Sequence, residues 1–282
     1  MPELPEVESI RLQLEKYLVG HKITGVDAHY KNFDGDTQNL VGGNVKKIRR
    51  FGKVLSIDLT NGHSLVIHIK LTGQLIYRGP NLKISGSLSK KIIGGLGGKH
   101  THVIFRLDKG GKLYYNDVRK FGWIKVVKSS EVENIDFIRK LGPEPLDGLS
   151  LEKFKQIVSK SSRPIKIVLM DQEKIGGVGN IYANDALWLA KIHPQANANK
   201  LTGNQVTGLY NAVEEVLRQG LKWGGASELS YVTPSGQEGL YQEHSLAYGR
   251  QGEPCERCHR AKFVKIFLAG RGTYFCPVCQ VK

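Results

Sequence analysis

Hydrophobic residues near the start of the chain recur every three or four positions, as far as Gly20. The positions that follow this spacing are Val7, Ile10, Leu14 and Leu18. Such a period places apolar side chains on one face of an α-helix. Pro5 suits the first helical position, where its missing N–H is no loss, and the acidic Glu6 favours the positive end of the helix dipole. The pattern predicts one amphipathic helix here.

After this helix the pattern changes to short alternating or β-branched runs separated by Gly, Asn and Asp turns. In chain order these runs are "KITGV", "VKKIRRF", "VLSIDL", "SLVIHI", "QLIYR", "HVIFRL", "KLYY" and "WIKVV". Strands at this spacing predict a β-sandwich or barrel with the first helix packed on it. The glycine-rich stretch between residues 80 and 100 interrupts them. We interpret it as a flexible polar insertion rather than a phosphate cradle, because no helical pattern follows it.

The second half of the chain has helical periods. "LGPEPLDG", from Leu141 to Gly148, is typical of a linker stiffened by its two prolines. Helical spacing follows over residues 151–158, 164–169, 181–189 and 206–217. The predicted fold class is therefore α+β with several domains. The predicted domains are an N-terminal β-sandwich over 1–133, a linker over 134–149, a helical domain over 150–242 and a C-terminal module over 243–282.

The charge of the chain indicates a polyanionic partner. Lys and Arg number 41 against 26 Asp and Glu, so the net charge is +15. Nucleic acid is favoured over a membrane surface as that partner. No apolar run approaches the roughly 20 residues of a membrane span, and the N-terminus lacks the pattern of a signal peptide. We expect a cytoplasmic monomer.

All four cysteines lie in the last 28 residues of the sequence, at positions 255, 258, 276 and 279. Two C-x2-C pairs separated by 17 residues predict a structural zinc site of four thiolates rather than disulfides. Cys255, Cys258, Cys276 and Cys279 are its expected ligands, and one Zn²⁺ is the expected cofactor. The segment "FLAGRGTYF" would form a hairpin with Arg271 at its tip, where flanking glycines allow close approach to a phosphate.

A glycine-rich turn precedes one of the predicted helices. In "KIGGVGNIYAND" three glycines in four residues are followed by Asn180 at the helix start. Exposed backbone N–H groups and the positive helix end would suit an anion. A plain helix-to-helix turn accounts for these residues equally well.

Read together, "PELPEVE", "DVRKFG", "GVGNIYA" and the four-cysteine finger make the chain resemble the formamidopyrimidine-DNA glycosylase family, which includes endonuclease VIII. The resemblance runs from Pro2 to the finger. Leu4 matches the formamidopyrimidine branch, because endonuclease VIII usually has glycine there. The resemblance to the family implies a helix-two-turn-helix in the helical domain and a zinc finger at the C-terminus.

The resemblance also implies the catalytic residues. Removal of Met1 would make the secondary amine of Pro2 the nucleophile, and Glu3 would be the acid-base residue. Because an α-amino group has a pKa of about 7.7–8, a useful fraction of it is neutral at pH 7. Glu6 is similar to the family's second carboxylate, although the helix-dipole interpretation of Glu6 stays open. Such an amine can displace a base from C1′ and then cleave the strand by β- and δ-elimination.

The remaining family positions concern DNA. Lys53, Asn180 and Arg271 are similar to residues that bind phosphates around the lesion, and Lys53 and Arg271 also belong to the implied catalytic set. An extruded base leaves a gap that must be filled. Arg119, Phe121 and Leu71 match the filling positions, although Leu71 stands where methionine is usual and Lys70 where glycine is common.

Damage recognition in the family depends on the loop after the last long helix, here residues 224–242. Its expected contacts with the oxidised base are the hydroxyls and backbone N–H groups of Ser227, Ser230, Tyr231 and Thr233. A plain surface loop is the alternative interpretation.

The resemblance implies a bifunctional DNA glycosylase and AP lyase that removes oxidised purines such as 8-oxoguanine and formamidopyrimidines from double-stranded DNA. One alternative is an endonuclease VIII-like preference for oxidised pyrimidines, against which Arg119 and Phe121 argue. Another is a non-catalytic DNA-damage-binding protein, against which Pro2 and Glu3 argue. A zinc-ribbon module for RNA would have no use for the amine or the filling residues.

Overall fold

The computed structural model describes residues 1–80, 82, 88–92 and 95–281, so the predicted insertion lies partly outside the described residues. The chain divides into two compact units. The first comprises residues 1–139 and 221–242, and the second comprises residues 140–220 and 243–282. Each is described by itself below. None of the helices in the described part of the chain has the length and apolar character that crossing a membrane requires.

The first unit is a β-sandwich with one long helix, as the sequence predicts. The helix is α1 (Leu4–Leu18). Within the described residues its nine strands are β1 (Ile23–Ala28), β2 (Phe33–Asp34), β3 (Val45–Phe51), β4 (Val54–Leu59), β5 (His63–His68), β6 (Gly73–Arg78), β7 (Thr101–Leu107), β8 (Lys112–Asp117) and β9 (Trp123–Lys128). One sheet has the order β1-β7-β8-β6 and the other the order β2-β9-β5-β4-β3. All neighbouring strands are antiparallel except β2 and β9.

The core of the first unit lies between the two sheets and α1. Alternate residues of the strands point into it, among them Ile57 and Phe105, and the predicted apolar face of α1 contributes Val7, Ile10 and Leu14. A second, smaller cluster covers the outer face of the five-stranded sheet. There the segment 129–139, which includes α2 (Asp136–Arg139), packs against Val54 and Val66.

Two domain boundaries differ from the predicted ones. The sandwich unit extends to residue 139 rather than 133, because Ile138 is buried on the outer face of its sheet. Residues 221–242, predicted as part of the helical domain, pack with the sandwich. Tyr231 and Val232 are buried in the apolar clusters of this unit. The Tyr77 backbone N–H on β6 also donates to the Pro234 carbonyl, and the Ala226 N–H donates to a carboxylate on α1.

The second unit contains helices at all four predicted positions. They are α3 (Leu151–Ser159), α4 (Ile165–Met170), α5 (Asn180–Leu189) and α6 (Gly203–Lys222), of which residues 203–220 belong to this unit. The predicted hairpin follows as β10 (Val264–Leu268) and β11 (Arg271–Phe275), which pair in an antiparallel sheet of two strands. Gly270 has φ +71 at the turn between them, a backbone conformation that side chains with a Cβ rarely adopt.

Candidate functional site

The start of α1 is buried and held by one carboxylate. Pro2 is buried and Glu3 is only 2 % exposed, whereas Met1 lies at the surface. The Glu3 backbone N–H donates to Glu6 Oε2 at 2.6 Å, and the Ala226 N–H donates to Glu6 Oε1 at 2.8 Å. Glu6 therefore does more than favour the helix dipole, because it also ties the turn before α1 to the segment 224–242.

Gly225 allows the close approach that this contact needs. Its φ is +85, and a Cβ built there would lie 2.8 Å from Glu6 Cγ and 3.1 Å from Tyr231 Cε1. The Tyr231 hydroxyl donates to the Gly224 carbonyl at 2.9 Å. A side chain at residue 225 would therefore displace either Glu6 or the loop.

Lys53 is buried rather than solvated. It is 3 % exposed in the two-residue turn between β3 and β4, where Gly52 has φ +56. His68, at the end of β5, is similarly buried. Burial, together with the charges of Lys70 and Lys53, lowers the pKa of His68 well below its ordinary value. The imidazole is therefore neutral at neutral pH and adds no positive charge beside Lys53.

The backbone conformation of Lys70 explains why glycine is common at this position in the family. Lys70 has φ +50, in the left-handed region that glycine occupies most readily. Its backbone N–H donates to His68 Nδ1 at 3.2 Å, and its Nζ lies 5.2 Å from the centre of the Phe137 ring. These contacts stabilise the turn that presents Leu71.

The predicted filling residues lie on two loops of the first unit. Leu71 is partly exposed between β5 and β6. Arg119 and Phe121 lie between β8 and β9, where Phe121 is 51 % exposed, so it is not a core residue. The Arg119 guanidinium stacks 4.7 Å from the centre of the Phe121 ring. An exposed arginine on an exposed aromatic ring can both hydrogen-bond a base and fill space in a base stack.

A fully buried carboxylate, Asp117, joins these two loops. Its Oδ2 accepts from the Tyr30 hydroxyl and from the Gly122 N–H, both at 2.9 Å. Its Oδ1 accepts from the Thr72 hydroxyl, whose oxygen in turn accepts from the Arg119 N–H at 3.0 Å. Burial and the nearby carboxylate raise the pKa of Tyr30 to about 12, so this phenol stays protonated and donates. We call these residues the Asp117 cluster.

The hydroxyls predicted to recognise the lesion are engaged within the protein. Ser227 is fully buried, and its hydroxyl donates to the Tyr231 carbonyl and accepts from the Gly239 N–H. The Ser230 hydroxyl donates to the Leu71 carbonyl at 3.1 Å. The Thr233 hydroxyl donates to the Gln237 carbonyl at 3.1 Å. In this conformation these side chains shape the loop and do not face outward; Leu229, which is 68 % exposed, does.

One of the predicted phosphate-binding residues of the second unit, Asn180, contacts the hairpin that carries the other, Arg271. Asn180, the first residue of α5, donates from Nδ2 to the Gly272 carbonyl at 3.1 Å, next to the exposed Arg271. Lys166 on α4 is fully buried and donates to the same carbonyl at 3.0 Å and to the Thr273 hydroxyl at 2.8 Å. The structure thus brings the glycine-rich turn and the hairpin tip together within this unit.

The four cysteines form the predicted metal site. Their sulfurs all lie within 4.8 Å of one another, with Cys255 and Cys279 at 3.8 Å and Cys258 and Cys276 at 3.7 Å. Tetrahedral Zn²⁺ with Zn–S bonds of about 2.3 Å requires sulfurs about 3.8 Å apart. The geometry fits one structural zinc ion and is too long for disulfide bonds.

Other residues anchor the C-terminal segment that contains the four cysteines, residues 243–281, to α5; we call this segment the zinc module. The Arg257 guanidinium donates to the Trp188 carbonyl at 2.7 Å and the Leu189 carbonyl at 3.2 Å, at the C-terminal end of the helix. On the same helix, Asp185 accepts from the backbone N–H groups of residues 246, 247 and 248. The helix that begins with Asn180 is therefore fixed by the zinc module at its far end.

Buried polar residues that sequence reasoning did not single out include Asp117, Lys166, His68 and Gln74. Their sequence context could have indicated this, because each is a polar residue within a strand or within an apolar helical stripe such as "PIKIVLM". A polar residue that is buried there needs a hydrogen-bond partner. The identity of the partner depends on loops distant in sequence, so the pattern alone does not show it.

Comparison with known proteins agrees with this architecture. Three family models match: the Formamidopyrimidine-DNA glycosylase N-terminal domain over residues 1–124, the Formamidopyrimidine-DNA glycosylase H2TH domain over residues 141–231, and the Zinc finger found in FPG and IleRS over residues 252–281. The formamidopyrimidine-DNA glycosylase of Desulforamulus reducens is 41% identical to this chain, and the match covers 99% of both proteins.

Solved structures of Lactococcus lactis Fpg are similar over the entire chain. A mutant in complex with DNA that contains Fapy-dG has a TM-score of 0.86 and 35% identity, with 100% of both chains covered. The wild-type protein in complex with DNA that contains an oxidised pyrimidine has a TM-score of 0.85, with the same identity and coverage. These matches agree with the sandwich, the helical unit and the four-sulfur site. The chain therefore belongs to the formamidopyrimidine-DNA glycosylase family.

Proposed function

We propose that this chain excises oxidised purines, such as 8-oxoguanine and formamidopyrimidines, from double-stranded DNA and then cleaves the strand as an AP lyase, in base excision repair. The observation that carries the proposal is the buried Pro2–Glu3 start of α1, held by Glu6, in a chain that matches the family over its full length. The similar Lactococcus lactis protein bound to Fapy-dG DNA supports the substrate class. DNA of bacterial relatives lies in the cytoplasm, where we expect this chain to act.

In the proposed mechanism the Pro2 amine, free once Met1 is removed, attacks C1′ of the damaged nucleotide. The new N–C1′ bond replaces the glycosidic bond, and the base leaves with the bonding electrons and a proton. Glu3 protonates the ring oxygen as the sugar opens, so that the Pro2 nitrogen becomes an iminium. This iminium accepts electrons when the 3′ and then the 5′ phosphate leave. Water finally hydrolyses the iminium and frees the amine.

Other residues bind and reshape the DNA. Lys53 in the first unit, and Asn180 and Arg271 in the second, would bind phosphates near the damaged nucleotide. Phe121 and Leu71 would fill the gap left by the extruded nucleotide, and Arg119 would pair with the orphaned base. The zinc ion held by the four cysteines would contribute structure to the hairpin that carries Arg271.

Borohydride trapping tests the proposal. The Met1-free protein, verified by the mass of its N-terminal peptide, should form a covalent complex with a duplex that contains 8-oxoguanine. A matched protein with one extra residue before Pro2 should form none, because its proline nitrogen is an amide. Lack of a trapped species with the processed protein would refute the proposal, as would equal trapping with both.

Oxidised pyrimidines are a second candidate substrate class. The Lactococcus lactis protein has been solved in complex with DNA that contains one. Single-turnover excision from matched duplexes, with either an oxidised purine or an oxidised pyrimidine opposite its usual partner, measures the preference. We expect the purine to be removed faster, and the opposite order would move this chain toward endonuclease VIII-like activity.

A further inference from the structure

The described part of the insertion contacts the segment Gly224–Gln242, which we call the lesion loop. Ser89 and Lys91 provide these contacts. The Ser89 backbone N–H donates to the Gly236 carbonyl at 3.0 Å, and its hydroxyl donates to Glu238 Oε1 at 2.6 Å. Lys91 Nζ donates to Glu238 Oε2 at 2.6 Å and to the Ser227 carbonyl.

Hydrogen bonds from Lys91 and Gln74 hold the two ends of the exposed tip of the lesion loop. The tip consists of Glu228 and Leu229, the two consecutive exposed residues between buried Ser227 and Ser230. The Ser227 carbonyl, immediately before the tip, accepts from Lys91. The Ser230 carbonyl, immediately after it, accepts from the Gln74 amide on β6.

Gln74 also connects the insertion to the sheet. Its side chain is 1 % exposed, and its amide nitrogen donates to the Lys91 carbonyl at 2.7 Å as well as to the Ser230 carbonyl. Lys91 is thereby bound through its backbone to the sheet and through its side chain to the loop. The hydrogen bond from Lys91, followed by that from Ser89, lowers the pKa of Glu238, as expected for a carboxylate that is ionised within this contact.

We propose that Lys91 is a positioning residue that determines specificity by ordering the tip of the lesion loop for contact with the extruded base. The proposal rests on the proposed function for its substrate. A loop that reads the base acts only while a base is present. Lys91 therefore matters for removal of an oxidised purine and not for cleavage at a preformed abasic site, where no base remains to be read.

The test compares these two substrates with the full-length protein. Lys91→Met should lower kcat/KM for an 8-oxoguanine duplex by about three- to tenfold, because the partial exposure of Lys91 and Glu238 leaves only part of the stabilisation that a buried ion pair and a charged hydrogen bond would give. It should change cleavage of an abasic duplex by less than about twofold. Lys91→Arg should restore most of the loss, because arginine can reach the same acceptors.

Two further variants separate loop ordering from attraction to DNA. Glu238→Gln makes the protein more positive yet breaks the ion pair, so it should lower 8-oxoguanine excision in the same direction as Lys91→Met. Lys125→Met is the matched control, since Lys125 forms a 2.6 Å ion pair with Asp34 in the same unit but outside the lesion loop. It should affect both substrates equally or neither.

Hydrogen exchange in the protein without DNA gives a readout independent of activity. Lys91→Met should speed exchange of the lesion-loop amides, such as those of Thr233 and Gly239, and leave the amides of β4 unchanged. Equal loss on both substrates, no loss on either, or unaltered exchange would overturn the proposal. A wild-type protein that fails borohydride trapping would refute the proposed function instead, and the exchange result would still decide whether Lys91 orders the loop.

Discussion

Asp117→Asn would test whether the Asp117 cluster holds the filling residues in place. The substitution keeps the shape of the side chain but replaces one carboxylate oxygen with an amide that only donates. Four donors converge on the carboxylate, namely the hydroxyls of Tyr30, Thr72 and Tyr115, the last at 3.5 Å, and the N–H of Gly122. With a single acceptor oxygen, the asparagine leaves at least one of these donors without its present acceptor.

The magnitude follows from burial and charge. Asp117 is 0 % exposed, so water cannot replace a lost partner. A hydrogen bond to a charged group contributes about 1.5–3 kcal/mol, and an orphaned buried donor costs about 1–3 kcal/mol. We expect the free energy of unfolding to fall by about 2–3 kcal/mol. Thr72 also accepts from the Arg119 N–H, so the loop that carries Arg119 and Phe121 should lose its fixed position.

The assay measures single-turnover excision of 8-oxoguanine placed opposite cytosine and opposite adenine, together with urea unfolding. If Arg119 pairs with the orphaned base, Asp117→Asn should slow excision opposite cytosine by about tenfold, which is about 1.4 kcal/mol of activation free energy. The ratio between the two partner bases should move toward one.

Asp58→Asn is the matched control. Asp58 is a buried carboxylate on β4 that accepts from Arg49, Ser56 and Ser64, each at 2.7 Å. Its substitution should lower the free energy of unfolding by a similar amount but leave the partner-base ratio unchanged. If Asp117→Asn destabilises the protein as expected while its partner-base ratio matches that of Asp58→Asn, the Asp117 cluster does not position the filling residues.

The remaining predictions concern a wedge, a metal site and a buried histidine. Phe121→Ala should change the free energy of unfolding by no more than about 0.5 kcal/mol, because the ring is half exposed. The same substitution should slow excision from duplex DNA severalfold, and unchanged single-turnover rates would contradict this. Cys276→Ser should abolish zinc binding, measured by atomic absorption, and weaken DNA binding at moderate salt while the sandwich stays folded. A zinc-free variant that binds DNA with wild-type affinity would contradict a role of the zinc finger in DNA binding. Burial lowers the pKa of His68 in the folded state, so below a pH of about 6.5 the unfolded state binds a proton at His68 that the folded state excludes. The free energy of unfolding should therefore fall by up to about 1.4 kcal/mol per pH unit as the pH is lowered. Urea titrations at several pH values should show this slope in the wild type and in the exposed-site control His29→Gln but not in His68→Gln.

Local patterns in the sequence predict most of the fold. The 3.6-residue period of Val7, Ile10 and Leu14 and the alternation in the strands depend only on which face is buried, so α1 and eight of the nine strands are predictable. The strand of Phe33 and Asp34 is too short to show a period. The packing of residues 221–242 on the sandwich depends on contacts between segments that are distant in sequence, among them the burial of Tyr231 and Val232 against strand residues, which periodicity does not encode.

Only part of the candidate site is predictable from the sequence. Cysteine spacing determines the sulfur cluster, because two C-x2-C turns bring four thiolates within reach of one metal ion. Exposure is harder to predict. Lys53 would be unremarkable on a surface and is buried, whereas Phe121 would suit a core and is half exposed. Ser227 and Thr233 have hydroxyls typical of a binding loop, but the loop uses them to satisfy its own backbone.

The first unit is assembled from two stretches of chain, residues 1–139 and 221–242. During synthesis at about 5–20 residues per second, roughly 4–16 s separate the emergence of the two stretches from the ribosome. In that interval Glu6 has no Ala226 to bind, and the nascent sandwich exposes the surface that the later stretch will cover. Translation that stalls between residues 139 and 221 would therefore release a fragment that carries Pro2 and Glu3 but lacks the loop expected to choose their substrate.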